Sequence, residues 1–143
     1  MIAASLVMAE KYAKFSPFAK KLAKKYWPGP LTIVVPAKTK LIAGSVIDKD
    51  KTVAIRVSPH SLARLLSQRL GRPLVATSAN LSGHSNIYSA KSLKKSFAGA
   101  PAIIYFLSGG TLPRRQPSTI VVLKNGKLIM LRRGAVRVKG IRN

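Results

Sequence analysis

Residues 74–86 read LVATSANLSGHSN, in which a short apolar run at 74–76 is followed at once by hydroxyl and amide side chains. The run predicts a strand, and the polar residues predict a loop at its carboxyl end, where open α/β sheets bind their ligands. The same residue types are common in turns, so an ordinary strand-to-helix loop is the alternative. The polar members of this loop are Thr77, Ser78, Asn80, Ser82, Gly83, Ser85 and Asn86.

Helices and strands alternate on both sides of this loop. Ser16 and Pro17 predict the start of an amphipathic helix over 17–26. The dipeptide Asn125-Gly126 predicts a hairpin and therefore an antiparallel strand pair. The other predicted elements are strands at 31–35, 52–57, 102–107, 118–123 and 127–132 and helices at 58–70 and 89–97. The pattern predicts a single α/β domain with a mixed parallel and antiparallel sheet and flanking helices.

The charge balance is strongly basic. The 143 residues contain 26 Lys and Arg but only three acids, which gives a formal net charge of +23. The basic residues are spread along the whole chain, so we expect a folded basic surface that binds polyanions. A generally basic proteome, or a surface adapted to salt or heat, would give the same composition.

Several classes of site are excluded by composition. The chain has no Cys, and its few acids and two histidines, His60 and His84, cannot form a convincing metal site, so a metal ion would enter only with a substrate. Neither histidine has an acidic neighbour in sequence, and we assign neither a catalytic role. The first apolar run ends early at Glu10 and Lys11, which predicts a cytoplasmic protein without a signal peptide or membrane span.

Polar side chains on the predicted strands are further candidates. Arg56 lies near the end of a strand whose other face is apolar, and Thr52 shares its face. A guanidinium there suits a carboxylate or phosphate, although a solvated arginine is the alternative. Arg132 ends the last strand and Ser118 opens its partner, so a guanidinium and a hydroxyl are expected near one sheet edge, with a solvated hairpin end as the alternative.

Four blocks in order carry a resemblance to a known family: KKYWPGPLTIVVPAK, TVAIRVSPH, GRPLVATSANLSG and PSTIVVLKNGKLIMLRRGAV. The chain resembles the YrdC-like family of L-threonylcarbamoyladenylate synthases. The resemblance implies a twisted mixed sheet that encloses a basic cleft. It also implies a reaction in which L-threonine, bicarbonate and ATP with Mg²⁺ give threonylcarbamoyl-AMP and pyrophosphate. A partner tRNA threonylcarbamoyl transferase then moves the threonylcarbamoyl group onto an adenosine of tRNA.

The same resemblance implies roles for individual residues. It assigns ATP binding to Thr52, Ser78, Asn80, Asn86 and Arg132, and L-threonine binding to Arg56, Ala76 and Ser118. It assigns no catalytic residue and no metal ligand. Two positions depart from the family pattern, because Asn86 stands where Ser is more common and Val122 where Asp is usual.

The start of the chain departs further from the family. The family begins with a strand that ends in a P-T-[DE]-T-x-G-L segment, then a helix and a K-x-R motif, and this sequence contains neither motif. We therefore expect residues 1–143 to be a YrdC-like domain without that segment, a fragment with impaired synthase activity. The alternative is a non-catalytic module of the same fold that binds double-stranded RNA or tRNA. Carbamoyl transfer within a larger hydrogenase-maturation protein is a third possibility.

Overall fold

The computed structural model describes residues 1–81, 83–99, 105, 107, 110–124 and 126–138. The strands are β1 (Ile2–Ala3), β2 (Leu31–Pro36), β3 (Thr52–Val57), β4 (Thr119–Lys124) and β5 (Lys127–Arg132). The α-helices are α1 (Leu6–Tyr12), α2 (Pro17–Tyr26), α3 (Ser61–Leu70) and α4 (Ala90–Ser96), with short 3₁₀ turns at Thr39–Leu41 and Gly44–Val46. The chain divides into two compact units, Met1–Ala76 with Gln116–Asn143, and Thr77–Arg115.

All five strands belong to the first unit and form one sheet in the order β1-β3-β2-β4-β5. The β1–β3 and β2–β4 pairs are parallel, whereas the β2–β3 and β4–β5 pairs are antiparallel. The predicted α/β fold with a mixed sheet is therefore confirmed. The hairpin between β4 and β5 is confirmed as well, although its turn residue Asn125 lies outside the described residues. Ser82, in the loop predicted after residue 76, also lies outside them.

One face of the sheet carries the core. The alternating apolar residues of β2, β3 and β4 point to this face, and α2 covers it with three buried side chains, Ala19, Leu22 and Ala23. The buried sheet residues on this face are Leu31, Ile33, Val35, Val53, Ile55, Val57 and Val121. Burial of a Val, Leu or Ile side chain stabilises a fold by roughly 1.5–3 kcal/mol, so this face holds the sheet together. The opposite face carries Thr32, Thr52 and Arg56 together with apolar residues such as the buried Val122.

The helix α2 has the bounds that the sequence predicts. The Ser16 hydroxyl accepts a hydrogen bond from the N–H of Ala19 at 3.2 Å, and Pro17 occupies the first helical position. These are the residue types that stabilise a helix start. The first strand and first helix, by contrast, were not predicted, because a two-residue strand and a seven-residue helix are too short for a periodic pattern.

Two predicted boundaries are wrong. The strand predicted at 74–76 is reduced to a single bridge, in which Leu74 exchanges main-chain hydrogen bonds of 2.8 and 2.9 Å with Ile2. The strand β1 offers only two residues for pairing, so no longer ladder forms there. The helix predicted from residue 58 begins at Ser61, because the Ser58 hydroxyl instead accepts from the N–H of His60 in a turn at 3.2 Å.

The second unit contains α4. The Ser89 hydroxyl caps this helix by accepting from the N–H of Ser92 at 3.2 Å, which agrees with the helix predicted at 89–97. The main-chain N–H of Leu112 donates to the carbonyl of Tyr88 at 2.7 Å and joins the returning chain to the helix start. The strand predicted at 102–107 lies largely outside the described residues. In the part of the chain described here, no helix is both long and apolar enough to cross a bilayer.

Candidate functional site

A row of side chains crosses the sheet on the face opposite the core. The register pairs Thr32 with Ile120 and Ile120 with Arg132. The antiparallel pairing of β2 with β3, continued by one residue, sets Thr32 beside Arg56. Because neighbours in a row point to the same face, two arginines and a threonine from β3, β2 and β5 share one surface.

Two buried hydroxyls and a guanidinium form a network at this row. The Thr32 and Ser118 hydroxyl oxygens lie 2.8 Å apart, and the two residues are 8% and 6% exposed. Arg132 Nη2 donates to the Ser118 hydroxyl at 3.0 Å and to the Ser118 carbonyl at 2.9 Å, and its Nε donates to the same carbonyl at 3.1 Å. Whichever hydroxyl donates to the other, one O–H proton is left over. The network therefore offers one hydroxyl donor to a ligand.

The row is electropositive. Burial, and then the nearby charge of Arg132, lower the pKa of the half-buried Arg56 guanidinium from its usual value. The three acids of the chain make their contacts elsewhere: Glu10 with Lys20 at 2.7 Å, Asp50 with Lys124 at 3.0 Å, and Asp48 with the N–H of Lys49 at 2.8 Å. Two neighbouring guanidiniums without a carboxylate favour an anionic ligand.

Residues after β5 hold Ser118 in place. The Thr119 hydroxyl donates to the Val136 carbonyl at 2.7 Å and accepts from the Val136 N–H at 3.1 Å. Gly134 lies so close to this strand start that a Cβ there would be 2.3 Å from the Pro117 carbonyl oxygen and 2.6 Å from main-chain atoms of Ser118 and Thr119. Only glycine fits this approach, so Gly134 fixes the position of the Ser118 hydroxyl.

Two further predicted residues of the first unit, Thr52 and Ala76, are not members of the hydrogen-bonded network of Thr32, Ser118 and Arg132. Thr52 shares the face of Arg56, as predicted, but lies four residues earlier on β3, about 13 Å away at ~3.3 Å per residue. A ligand that touches both would have to be elongated. Ala76 is exposed at the end of the first unit's first segment. Their assigned roles stay predictions.

The predicted binding loop lies in the second unit, and Asn80 organises it. Asn80 Nδ2 donates to the carbonyls of Leu81 at 3.0 Å and His84 at 2.9 Å, and Gly83 supplies the positive φ of 79° that the turn needs. The Asn80 Oδ1 atom is buried without a hydrogen-bond partner among the described residues. Both amide hydrogens of Asn80, a residue that the resemblance assigns to ATP binding, are therefore used within the loop, and its free group is an acceptor. Ser78 is exposed.

Asn86 lines a cavity of about 600 Å³ within the second unit. Its other lining residues include Ser85, Tyr88, Ser92 and Arg114, and the Arg114 guanidinium stands 5.8 Å from the centre of the Tyr88 ring. Hydroxyl donors and a stacked cation suit an anionic or planar ligand. The sequence indicates this loop as a site but gives no signal for Arg114.

The structure thus brings Ser118 and Arg132 together, as the strand pattern predicts, and adds Arg56 to the same row. It adds Thr32, which the sequence analysis missed because the residue lies inside an apolar run. The one signal for Thr32 is its position beside Arg56 on the neighbouring strand, and this position can be read only from the strand register. Among the described residues, no three His, Cys, Asp or Glu side chains are grouped where they could hold a metal ion. This donor set does not fit a resident metal.

The sequence profile of the Sua5, YciO and YrdC proteins, described as "Telomere recombination", matches residues 1–134. The chain belongs to the Sua5/YciO/YrdC family. Two curated relatives in this family are named threonylcarbamoyl-AMP synthase, one from Thiobacillus denitrificans and one from Pyrococcus abyssi. The first is 34% identical over 131 residues, and the match covers 87% of this chain and 68% of that protein. The second is 34% identical over 139 residues, covering 96% of this chain and 40% of that protein.

Solved structures of the family share the fold. The crystal structure of P. abyssi Sua5 complexed with L-threonine superposes with a TM-score of 0.76 at 36% identity, covering 93% of this chain and 38% of that one. E. coli YciO superposes with a TM-score of 0.83 at 24% identity, covering 96% and 66%, and at that identity supports the fold alone. The chain therefore spans between 38% and 68% of the length of these relatives.

Proposed function

We propose that the row of Arg56, Thr32, Ser118 and Arg132 binds L-threonine. The observation that carries this proposal is the pair of neighbouring guanidiniums beside a hydroxyl network with one proton to donate. An α-amino acid brings a carboxylate for Arg56, and threonine also brings a hydroxyl for the network. The P. abyssi Sua5 structure, 36% identical, contains L-threonine, which supports this choice of ligand.

The hydroxyl network gives a physical reason for selectivity. A buried donor left without a partner costs free energy, on the order of 1–3 kcal/mol, so a ligand that lacks a hydroxyl would bind less well than threonine. Arg132 is committed to Ser118 through three hydrogen bonds, so we assign it to holding that hydroxyl rather than to direct ATP binding. Arg56 makes the main ionic contact, because a guanidinium binds a carboxylate through two parallel hydrogen bonds.

We further propose that this chain takes part in the reaction for which its relatives are named, the synthesis of threonylcarbamoyl-AMP. The threonine amine attacks the bicarbonate carbon and water leaves, which gives a carbamate. A carbamate oxygen then displaces pyrophosphate from the α-phosphorus of ATP to give threonylcarbamoyl-AMP. ATP would use Ser78, the loop held by Asn80, Asn86 and Thr52, and Mg²⁺ would arrive as a companion of the ATP phosphates. The product would pass to a tRNA threonylcarbamoyl transferase. Residues 1–143 would supply the YrdC-like domain for this reaction.

Calorimetric titration with L-threonine tests the proposal. Arg56→Lys keeps the positive charge but loses the two-pronged contact, so we expect affinity to fall about 5- to 150-fold, equivalent to about 1–3 kcal/mol. Arg69→Lys, at an exposed position near the end of α3, is the matched control and should leave affinity unchanged. Equal affinities for the wild type and Arg56→Lys would contradict the threonine site, as would equal binding of threonine and alanine.

A second candidate function is duplex RNA binding by the same fold. It is favoured by the net charge of +23 and by the small number of acids available to neutralise it. Association of this kind releases counterions and so weakens steeply with salt. A gel-shift series with duplex RNA from 50 to 300 mM salt tests it; binding that does not change with salt, or that depends on base sequence, would contradict it.

A further inference from the structure

An open cavity lies between helix α2 and the core face of the sheet. Its volume is about 370 Å³, in the lower part of the range of small-molecule sites, roughly 300–1,000 Å³. Protein interiors contain few voids larger than a water molecule, so this space is too large to be an ordinary packing gap. The larger apolar side chains that line it are Phe15, Phe18, Leu22, Val35, Leu123 and Leu128.

The walls of the cavity come from three elements of the first unit. Helix α2 packs along β2, and Leu123 and Leu128, which pair across the β4–β5 hairpin, form the far wall. Leu22 and Leu128 are buried, whereas Phe18, one turn before Leu22 on the same side of α2, is 42% exposed. An aromatic ring that stands half in water at the edge of an apolar cavity gains free energy when a ligand covers it.

The border of the cavity is basic. Lys14 is exposed and belongs to the lining, and Lys21, also exposed, lies three residues after Phe18 and therefore next to it on the surface of α2. Among the described residues, none of the lining side chains is acidic. A ligand with an apolar body and one negatively charged end matches this distribution of groups.

Other occupants match it less well. A second copy of this chain would bring another surface of the same charge, since the formal net charge is +23. A lipid surface binds apolar groups that project outward, whereas the lining here is concave. A peptide would bring several polar main-chain groups, but the lining has only two polar side chains, Lys14 and Ser16, and the Ser16 hydroxyl already accepts from the Ala19 N–H.

We propose that this cavity binds a fatty carboxylate, with the aliphatic chain between α2 and the hairpin and the carboxylate at Lys14. At ~30 Å³ for each methylene-sized group, the volume holds roughly a dozen such groups, so dodecanoate is the probe. The cavity is on the core face, whereas Arg56 and Thr32 lie on the opposite face of the sheet. The inference is therefore independent of the proposed threonine site.

Calorimetric titration of the full chain with octanoate, decanoate, dodecanoate and dodecanol, each below its aggregation concentration, tests the proposal. Trp27 is the single tryptophan, and its ring centre lies 5.9 Å from that of Phe15 in the lining, so its fluorescence gives a second readout. Ala19→Leu enlarges a buried side chain of the lining. Phe18→Ala removes the exposed ring, and circular dichroism checks the fold of both variants.

The charge is tested by a second pair of variants. Lys14→Gln removes the lysine of the lining, and Lys49→Gln, at an exposed position outside it, is the matched control. We expect Lys14→Gln to weaken dodecanoate binding by up to about fivefold at low salt and to leave dodecanol binding unchanged, because only the carboxylate interacts with the charge. Equal losses in Lys14→Gln and Lys49→Gln would overturn the contact with Lys14.

We expect one dodecanoate per chain, a change in Trp27 fluorescence, and an affinity that rises about fourfold for each added methylene. Ala19→Leu should weaken binding at least about tenfold, and threonine affinity should not change. Binding at many sites, equal affinities for octanoate and dodecanoate, or no loss in Phe18→Ala and Ala19→Leu would overturn the cavity as the site. If Ala19→Leu does not fold, Phe18→Ala decides alone. Dodecanol binding as tightly as dodecanoate would overturn the choice of an anion.

Discussion

The substitution Gly134→Ala tests how the chain positions Ser118. A Cβ at residue 134 would lie 2.3 Å from the Pro117 carbonyl oxygen and 2.6 Å from main-chain atoms of Ser118 and Thr119. All of these are backbone atoms, so no side chain can rotate away and the strand start or the following segment must shift by about an ångström. Overpacking of this kind typically costs about 1–3 kcal/mol, and we expect about 3 kcal/mol here because the contacts are rigid.

Urea unfolding followed by the fluorescence of Trp27, the single tryptophan, gives this free energy of unfolding. The same shift would break the 2.8 Å contact between the Thr32 and Ser118 hydroxyls, so threonine affinity should fall together with stability. Gly44→Ala is the control, because nothing lies within 4 Å of a Cβ there. If the free energy of unfolding of Gly134→Ala lies within about 0.5 kcal/mol of the wild-type value and threonine affinity is unchanged, Gly134 does not position Ser118.

Three other outcomes are expected. Thr32→Val removes one of the two paired hydroxyls, and we expect threonine affinity to fall severalfold in calorimetry with a stability loss of about 1 kcal/mol; unchanged affinity would remove Thr32 from the site. Ser16→Ala removes the α2 cap and should lower the urea-unfolding free energy by about 1 kcal/mol without affecting threonine binding; a change in that binding would mean that α2 and the site are coupled. In a coupled assay with ATP, Mg²⁺, bicarbonate and subsaturating L-threonine, Arg56→Lys should release pyrophosphate more slowly than the wild type, since each ~1.4 kcal/mol of lost binding costs tenfold in rate; equal rates would remove Arg56 from the threonine site.

Much of the fold could be predicted from the sequence wherever a segment was long enough to show a period. The helix at 17–26 and the strands at 52–57 and 127–132 have the predicted bounds, because capping residues and alternating apolar residues act locally. The strand predicted at 74–76 failed, since an apolar run becomes a strand only where a neighbour offers a ladder, and β1 offers two residues. That neighbour is set by the tertiary fold and not by the run itself.

The candidate site was predicted in the same uneven way. Arg56 and Arg132 could be found because arginine is conspicuous on a strand. Thr32 could not, because a threonine within an apolar run is common in strands, and only the register shows that it meets Ser118, 86 residues away. The use of the Asn80 amide within its own loop depends on carbonyl positions, which no residue pattern specifies.

The row across the sheet has a kinetic consequence. Its members come from β3, β2, the residue just before β4, and β5, and the contact between Thr32 and Ser118 spans 86 residues of chain. Contacts of such high sequence separation form late in folding, because a long loop must close first. A nascent chain would gain threonine affinity only after β5 had been synthesised and paired. We therefore expect threonine to slow unfolding far more than it speeds refolding, because stabilising a late-forming contact acts mainly on the unfolding rate.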